Sequence, residues 1–310
     1  MDIHLATEAE RAQVFRDTYA IWGRPGLGIE EHVQWRMSSP QHTRATWYVG
    51  CVENHPVTSL ATYPLQFQRR RRIEQGIAIG AVHTVDEYRG RGFATQLLNW
   101  AENRESQRGA HVSMLYSDID PEFYARVGYQ CCPSWEGWAE TAGTDRMCMP
   151  IEASRAPLAA SAGDETYLGF YGVCYRDREI SIARSSEYWN YLNQKEAEDQ
   201  FYLFRGLDEK PRGYVRFAGD DQSLRIRDWA VDEPSDRAQG ELLDAVIQFG
   251  QDSNRTRIGG WLPDTPAVRS RFTLRARPIE ITMLKSLAET DRFSSAELQD
   301  AQHFLEIDHV

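Results

Sequence analysis

What this 310-residue chain lacks narrows its function before any motif is considered. No run reaches the roughly 18 consecutive apolar residues needed to cross a bilayer. The start, Met1-Asp2-Ile3-His4-Leu5-Ala6, has neither the basic opening nor the apolar stretch of a secretory leader. From both absences a cytoplasmic protein with no membrane partner is expected. The five cysteines, Cys51, Cys131, Cys132, Cys148 and Cys174, are odd in number and without C-x-x-C spacing, so reduced thiols and no metal are expected. Positive charge is also short. A net charge of −11 opposes binding to phosphate backbones, which excludes nucleic acid and favours a small cationic partner.

Apolar residues make up 41% and charged residues 26%, a composition that supports a folded chain throughout. The length suits two units of about 100 to 200 residues each. The fold class expected is α/β (α+β), with two similar units, each a mixed central sheet flanked by helices. The first unit is placed at residues 1–151, the second at 166–310, and the Ala-, Ser-, Gly- and Pro-rich stretch Glu152 to Glu165 between them reads as a linker.

Thr7-Glu8-Ala9-Glu10 has the form of a capping box and precedes Ala12, Val14, Phe15, Tyr19 and Trp22 at helical spacing. A second helix is expected over Ile29 to Met37, followed by a loop from Ser38 to His42. Trp47 to Val52 and Val57 to Phe67 read as a hairpin. The cluster Arg69-Arg70-Arg71-Arg72 then reads as a solvated tip, with an anion patch as the alternative. Gly76 to Val85 is apolar and β-branched, as in a strand buried on both faces. It runs into the turn Arg89-Gly90-Arg91-Gly92-Phe93-Ala94 and a helix bearing Leu97, Leu98 and Ala101. A strand at Val112 to Tyr116 and a short helix at Pro121 to Arg126 follow.

The second half repeats this order. Helices are expected at Thr166 to Arg178 and Ser185 to Ala197, and strands at Phe201 to Arg205, Gly213 to Phe217 and Leu224 to Val231. A helix at Gln239 to Asp252 and a strand at Arg257 to Leu262 complete it. Where the first half has its glycine turn, the second has Val231-Asp232-Glu233-Pro234-Ser235-Asp236-Arg237-Ala238, without glycine. One phosphate-binding turn per chain is therefore expected.

Backbone N–H groups at a helix start converge on an anion with a favourable dipole, and small residues there let the ligand approach. Gly92 and Ala94 satisfy that need, with Arg89 and Arg91 adding positive charge. Arg89 to Ala94 resembles the R/Q-x-x-G-x-G/A motif of the GNAT superfamily of N-acetyltransferases, and Phe123 to Tyr129 resembles its F-Y-x-x-x-G-F/Y motif. The tandem layout is similar to acetyltransferases of the enhanced-intracellular-survival type. The run Leu115-Tyr116-Ser117-Asp118 also resembles fungal lysine N-acetyltransferases.

The resemblance implies an acyltransferase that moves acetyl from acetyl-CoA to the primary amine of a small acceptor such as an amino acid, polyamine or aminoglycoside. Val82, His83, Thr84, Arg89, Gly90, Arg91, Gly92, Phe93, Ala94 and Ser117 would hold acetyl-CoA, and Tyr124 would protonate the departing thiolate. The place of the glutamate base of many relatives falls on Ala78, leaving Glu74, His83, water or the chain terminus. His83 is expected to pack beneath the sheet. Enhanced-intracellular-survival enzymes use their own terminal carboxylate, which implies Val310 here, although those relatives carry a further sterol-carrier-like domain and here only Pro263 to Val310 follow the last strand. Among Trp22, Trp35, Trp47, Trp135 and Trp138, the first two are the candidates for lining an acceptor pocket. An acetyl-CoA sensor without transfer activity is the alternative, and a homo-oligomer stays open.

Overall fold

A computed structural model describes residues 1–141, 151–156, 165–219, 222–288 and 291–310. Cys148 and positions 157–164 of the expected linker lie outside them. In chain order the strands are β1 (Asp2–Leu5), β2 (Thr46–Val52), β3 (His55–Arg69), β4 (Arg72–Thr84), β5 (Val112–Ser117), β6 (Gln130–Cys131), β7 (Trp135–Glu140) and β8 (Ile151–Ala156). They continue as β9 (Ile180–Ile182), β10 (Gln200–Gly206), β11 (Pro211–Gly219), β12 (Ser223–Val231), β13 (Arg257–Trp261), β14 (Thr273–Ala276) and β15 (Ile281–Ser286).

Two mixed sheets result. The first runs β1-β2-β3-β4-β5-β15-β6, with β9 on β3, and the second runs β14-β7-β13-β12-β11-β10-β8. In the first, β4 and β5 are parallel and joined by the helix Phe93–Gln107. In the second, β12 and β13 are parallel and joined by the helix Asp236–Asp252. A parallel pair needs such a crossover, so this is the repeat that the sequence carries.

The units exchange strands. β7 pairs with β13 and β14 in the second sheet, whereas β15 inserts between β5 and β6 in the first. A division at 151–166 therefore does not coincide with the division between sheets. Residues 151–156, expected as linker, form β8 beside β10.

Local physics accounts for the elements. Thr7 and Glu10 form the expected capping box on helix Glu8–Asp17. The segment expected as a loop over Ser38 to His42 instead contains a short helix, Pro40–Arg44, because Ser39 caps it and proline suits its first turn. Leu97, Leu98 and Ala101 bury one face of helix Phe93–Gln107 against Tyr48, Leu60 and Ile77. The second unit buries an aromatic core in which Tyr167, Trp189, Phe201 and Tyr214 pack ring against ring.

The arginine cluster departs from expectation. Arg69 is fully buried, donating from Nε to Glu297 at 2.6 Å, pairing with Asp291 and lying 4.4 Å over the Phe293 ring. Arg70 pairs with the same two carboxylates, so only Arg71 and Arg72 stand in solvent free of them. A charge run reads as solvated only while its distant counter-charges are unseen. Here they arrive from the C-terminal segment and fasten it to the first sheet.

Candidate functional site

The site begins as a wedge between β4 and β5. Their pairing extends only over Gly76–Ile79 and Val112–Leu115, although β4 continues to Thr84. Beyond it the register of β4 on β3 slips between Gly80 and His83, and Ala81 takes φ +51°. Such a bulge bends one strand away from its neighbour and frees its main-chain groups. The resulting cavity of about 950 Å³ is lined by Val82, His83 and Thr84 of the bulged segment.

The cavity continues to the glycine turn. Gly90 and Gly92 adopt φ +74° and +76°, left-handed values that cost little only without a Cβ. Gly92 is the N-cap of the 15-residue helix Phe93–Gln107, whose first turn lies at the cavity end that Arg89, Gly90, Gly92, Phe93 and Ala94 line. A Cβ built on Gly90 meets nothing within 4 Å, and one on Gly92 only Gln96 at 4.0 Å, so space exists for an anion beside the turn. Arg89 is braced by Asp86 at 2.8 Å and by its own bond to the Thr84 carbonyl at 3.1 Å. These residues fit the pyrophosphate of a coenzyme A thioester.

Tyr124 enters from the short helix Glu122–Ala125 and is 7% exposed. Burial, helped by the nearby Asp118 carboxylate, pushes its phenol up to about 12, so it keeps its proton across the neutral range. Asp118 and Glu280 also line the cavity, and burial raises both carboxyls above their ordinary range. Glu280 follows from the strand exchange, since it directly precedes β15.

The last residues complete the wall. Val310 lies against Gly80, its carboxyl carbon 3.6 Å from where a Cβ there would stand. The tail is held from the second unit. Lys195 donates to the Ile307 carbonyl at 2.9 Å and to that of His309, Arg184 bonds Asp308 at 2.8 Å, and Arg225 bonds Glu306 at 2.6 Å. His309 packs on Tyr116 with ring centroids 5.0 Å apart. Burial and neighbouring cations lower its pKa to about 3, which leaves it neutral.

Most of the expected site residues meet in this cavity, and some do not. Val82, His83, Thr84, Arg89, Gly90, Gly92, Phe93, Ala94, Tyr124 and Val310 all line it, as do Trp22 and Trp35. His83 was expected beneath the sheet; the bulge at Ala81 turns it to the cavity instead, 6.3 Å from the Trp22 ring. Arg91 lies over the Tyr88 ring rather than in the lining. Ser117 is buried with its hydroxyl on the Ile119 carbonyl at 2.8 Å, outside the lining. Glu74 sits by Arg69 at the far end of the sheet, and Ala78 is buried in the core. Trp47 is core, and Trp138 stacks under Arg257. Sequence reasoning missed Arg36, His42, Tyr63, Asp118, Glu280 and His309. Only Asp118, within the noted Leu115 to Asp118 run, and His309, beside the terminus, had a local signal.

Among the described residues no helix is long and apolar enough to cross a membrane. Comparison with known proteins finds no match among curated sequences. A family model, the acetyltransferase (GNAT) domain, matches residues 2–132. Among solved structures, a probable N-acyltransferase from Enterococcus faecalis is 16% identical with TM-score 0.73, covering 92% of this chain and 72% of that one. A GCN5-related N-acetyltransferase from Anabaena variabilis is 19% identical with TM-score 0.72, covering 93% and 73%. Eis1 from Mycobacterium abscessus is 17% identical with TM-score 0.62, covering 93% and 74%. At such identities the likeness is one of fold, and it extends through both sheets. Residues 2–132 thus carry an acetyltransferase (GNAT) domain, a family of acyltransferases whose cosubstrate is acetyl-CoA.

Proposed function

We propose that the chain transfers acetyl from acetyl-CoA to the primary amine of a small acceptor, within the wedge between β4 and β5. The carrying observation is that the glycine turn, Tyr124 and the terminal residue Val310 line one cavity. The bulged segment Val82 to Thr84 would hold the pantetheine arm, and the turn from Arg89 to Ala94 the pyrophosphate. Acetyl-CoA supplies an acyl thioester when bound. Tyr124, protonated by virtue of its burial, would give its proton to the departing sulfur. The terminal carboxylate would accept the proton that an ammonium must lose before its nitrogen attacks. Asp118 and Glu280 favour a cationic amine at that end.

We assign catalysis to the first unit and a covering role to the second. The helix Asp236–Asp252 begins with Ser235 accepting from its own Ala238 amide, and Asp236 places a negative charge in the first turn. Both features oppose a second pyrophosphate site. Incubation with acetyl-CoA and a panel of primary amines, followed by thiol release, tests the proposal. Amine-dependent release is expected; binding of acetyl-CoA with no release for any amine would overturn it in favour of a sensor.

A further inference from the structure

The described buried arginines follow a rule that two of them, Arg36 and Arg277, break. Arg69 is paired with Glu297 and Asp291, Arg184 with Asp228 and Asp308, and Arg216 with Asp199. Each guanidinium taken from water thus has a carboxylate within reach, as desolvation demands. Arg36 is also buried, 7% exposed, and no carboxylate among the described residues, the chain terminus included, lies within ion-pair distance of it. Its Nε donates to His42 Nε2, and its Nη1 has no hydrogen-bond partner among the described residues. The rest of its surroundings is aromatic, with the Phe15 ring at 4.8 Å and Trp22 at 5.8 Å. His42 is no counter-ion, being neutral at most, and burial and Arg36 itself lower its pKa to about 3, so it adds no charge of its own. Arg277 likewise has no carboxylate pair among the described residues, but it lies 3.5 Å over Trp261, bonds Thr282 and stays outside the cavity. Arg36 and His42 line it.

An unpaired guanidinium in the wall of a substrate cavity is a charge left for the substrate to meet. We infer that the acceptor is an amine that also bears a carboxylate, of amino-acid type, whose carboxylate is bound by Arg36 while its amine faces the terminal carboxyl. A guanidinium fork matches a carboxylate with two parallel hydrogen bonds, which makes arginine the fitting residue for that ligand. Tyr63 links the two ends. It lines the cavity with Arg36, within electrostatic reach of it, and its ring lies 3.1 Å from the Cβ position at Gly80, against which Val310 also rests. An acceptor spanning one aromatic side chain would reach both. The cavity then has an anion-binding end at Arg36 and a cation-binding end at Asp118, Glu280 and Val310, suited to a zwitterion.

The inference rests on acetyl transfer in this cavity, and its test separates the two. L-lysine, L-lysinamide and cadaverine form one matched set; L-phenylalanine, its amide and phenethylamine form another. With acetyl-CoA, in at least one set the acid is expected to exceed its amide and its decarboxylated partner by about tenfold or more in kcat/KM. The amides' less basic amines bias the comparison against this outcome. In Arg36→Gln the advantage falls below about twofold, and Arg36→Lys, which keeps the charge, retains part of it. Equal or better use of the amides, or a preference that survives in Arg36→Gln, overturns the inference while leaving acetyl transfer standing. If none of the six amines reacts, melting of the protein with CoA and each amine decides. Greater stabilisation by the acids, lost in Arg36→Gln, supports carboxylate binding without transfer; equal melting across each set overturns it.

Discussion

Removing His309 and Val310 lowers kcat for acetyl transfer by about 10²-fold or more, the range expected when a positioned proton acceptor is lost. The protein stays folded, because most of the contacts that fasten the tail involve residues that remain. Arg184 still reaches Asp308, Lys195 still reaches the Ile307 carbonyl, and Arg225 still reaches Glu306. Appending two glycines after Val310 tests the same group without deleting anything, since it converts the carboxylate into an amide. Both variants raise the pH at which a weakly basic amine is acetylated, as the free amine must then come from solution. Mass analysis of the C-terminal peptide checks that Val310 carries the free carboxylate in the purified protein. Unchanged turnover in both variants, with Val310 so verified, assigns the proton to another group.

Tyr124→Phe has the second large effect, again about 10²-fold in kcat. The phenol lies in the cavity with its proton retained by burial, and the substitution removes one oxygen without changing the ring that packs at 4.9 Å on Phe123 and 5.9 Å on Tyr129. KM for acetyl-CoA is expected to change little, because the turn from Arg89 to Ala94 is untouched. A loss confined to KM would mean that Tyr124 packs against substrate rather than donating to it. The wild-type pH profile should show no step from Tyr124 through neutral and moderately alkaline pH, since its pKa is raised to about 12.

Much of this site was legible because its features are local. The glycines, the helix they open and the tyrosine motif lie within one stretch, and backbone geometry follows directly from residue type at Gly90 and Gly92. What was not legible was non-local. β15 carries the pattern Ile281-Thr282-Met283-Leu284, which any buried strand shows, and nothing in it specifies pairing with β5 rather than with the second sheet. Glu280 therefore could not be placed in the cavity. His83 was assigned to the wrong face for a related reason. Strand alternation holds only while the register is regular, and the bulge at Ala81 shifts the phase at a residue that is not glycine. Arg69 was read as solvated because Asp291 and Glu297 lie more than 200 residues away in sequence, as the bonds between them record. Arg36 lies on an ordinary amphipathic helix, and only its place in the cavity wall without a carboxylate partner among the described residues, a property of the folded chain, distinguishes it.

The chain is expected to hold one acetyl-CoA, at the turn beside the wedge. Calorimetric titration of the full chain with acetyl-CoA tests it most directly. One molecule per chain is predicted, with binding weakened at least about tenfold in Gly92→Val, whose branched side chain suits neither a left-handed residue nor a close phosphate. Two molecules per chain, or wild-type affinity in a correctly folded Gly92→Val protein, would contradict it.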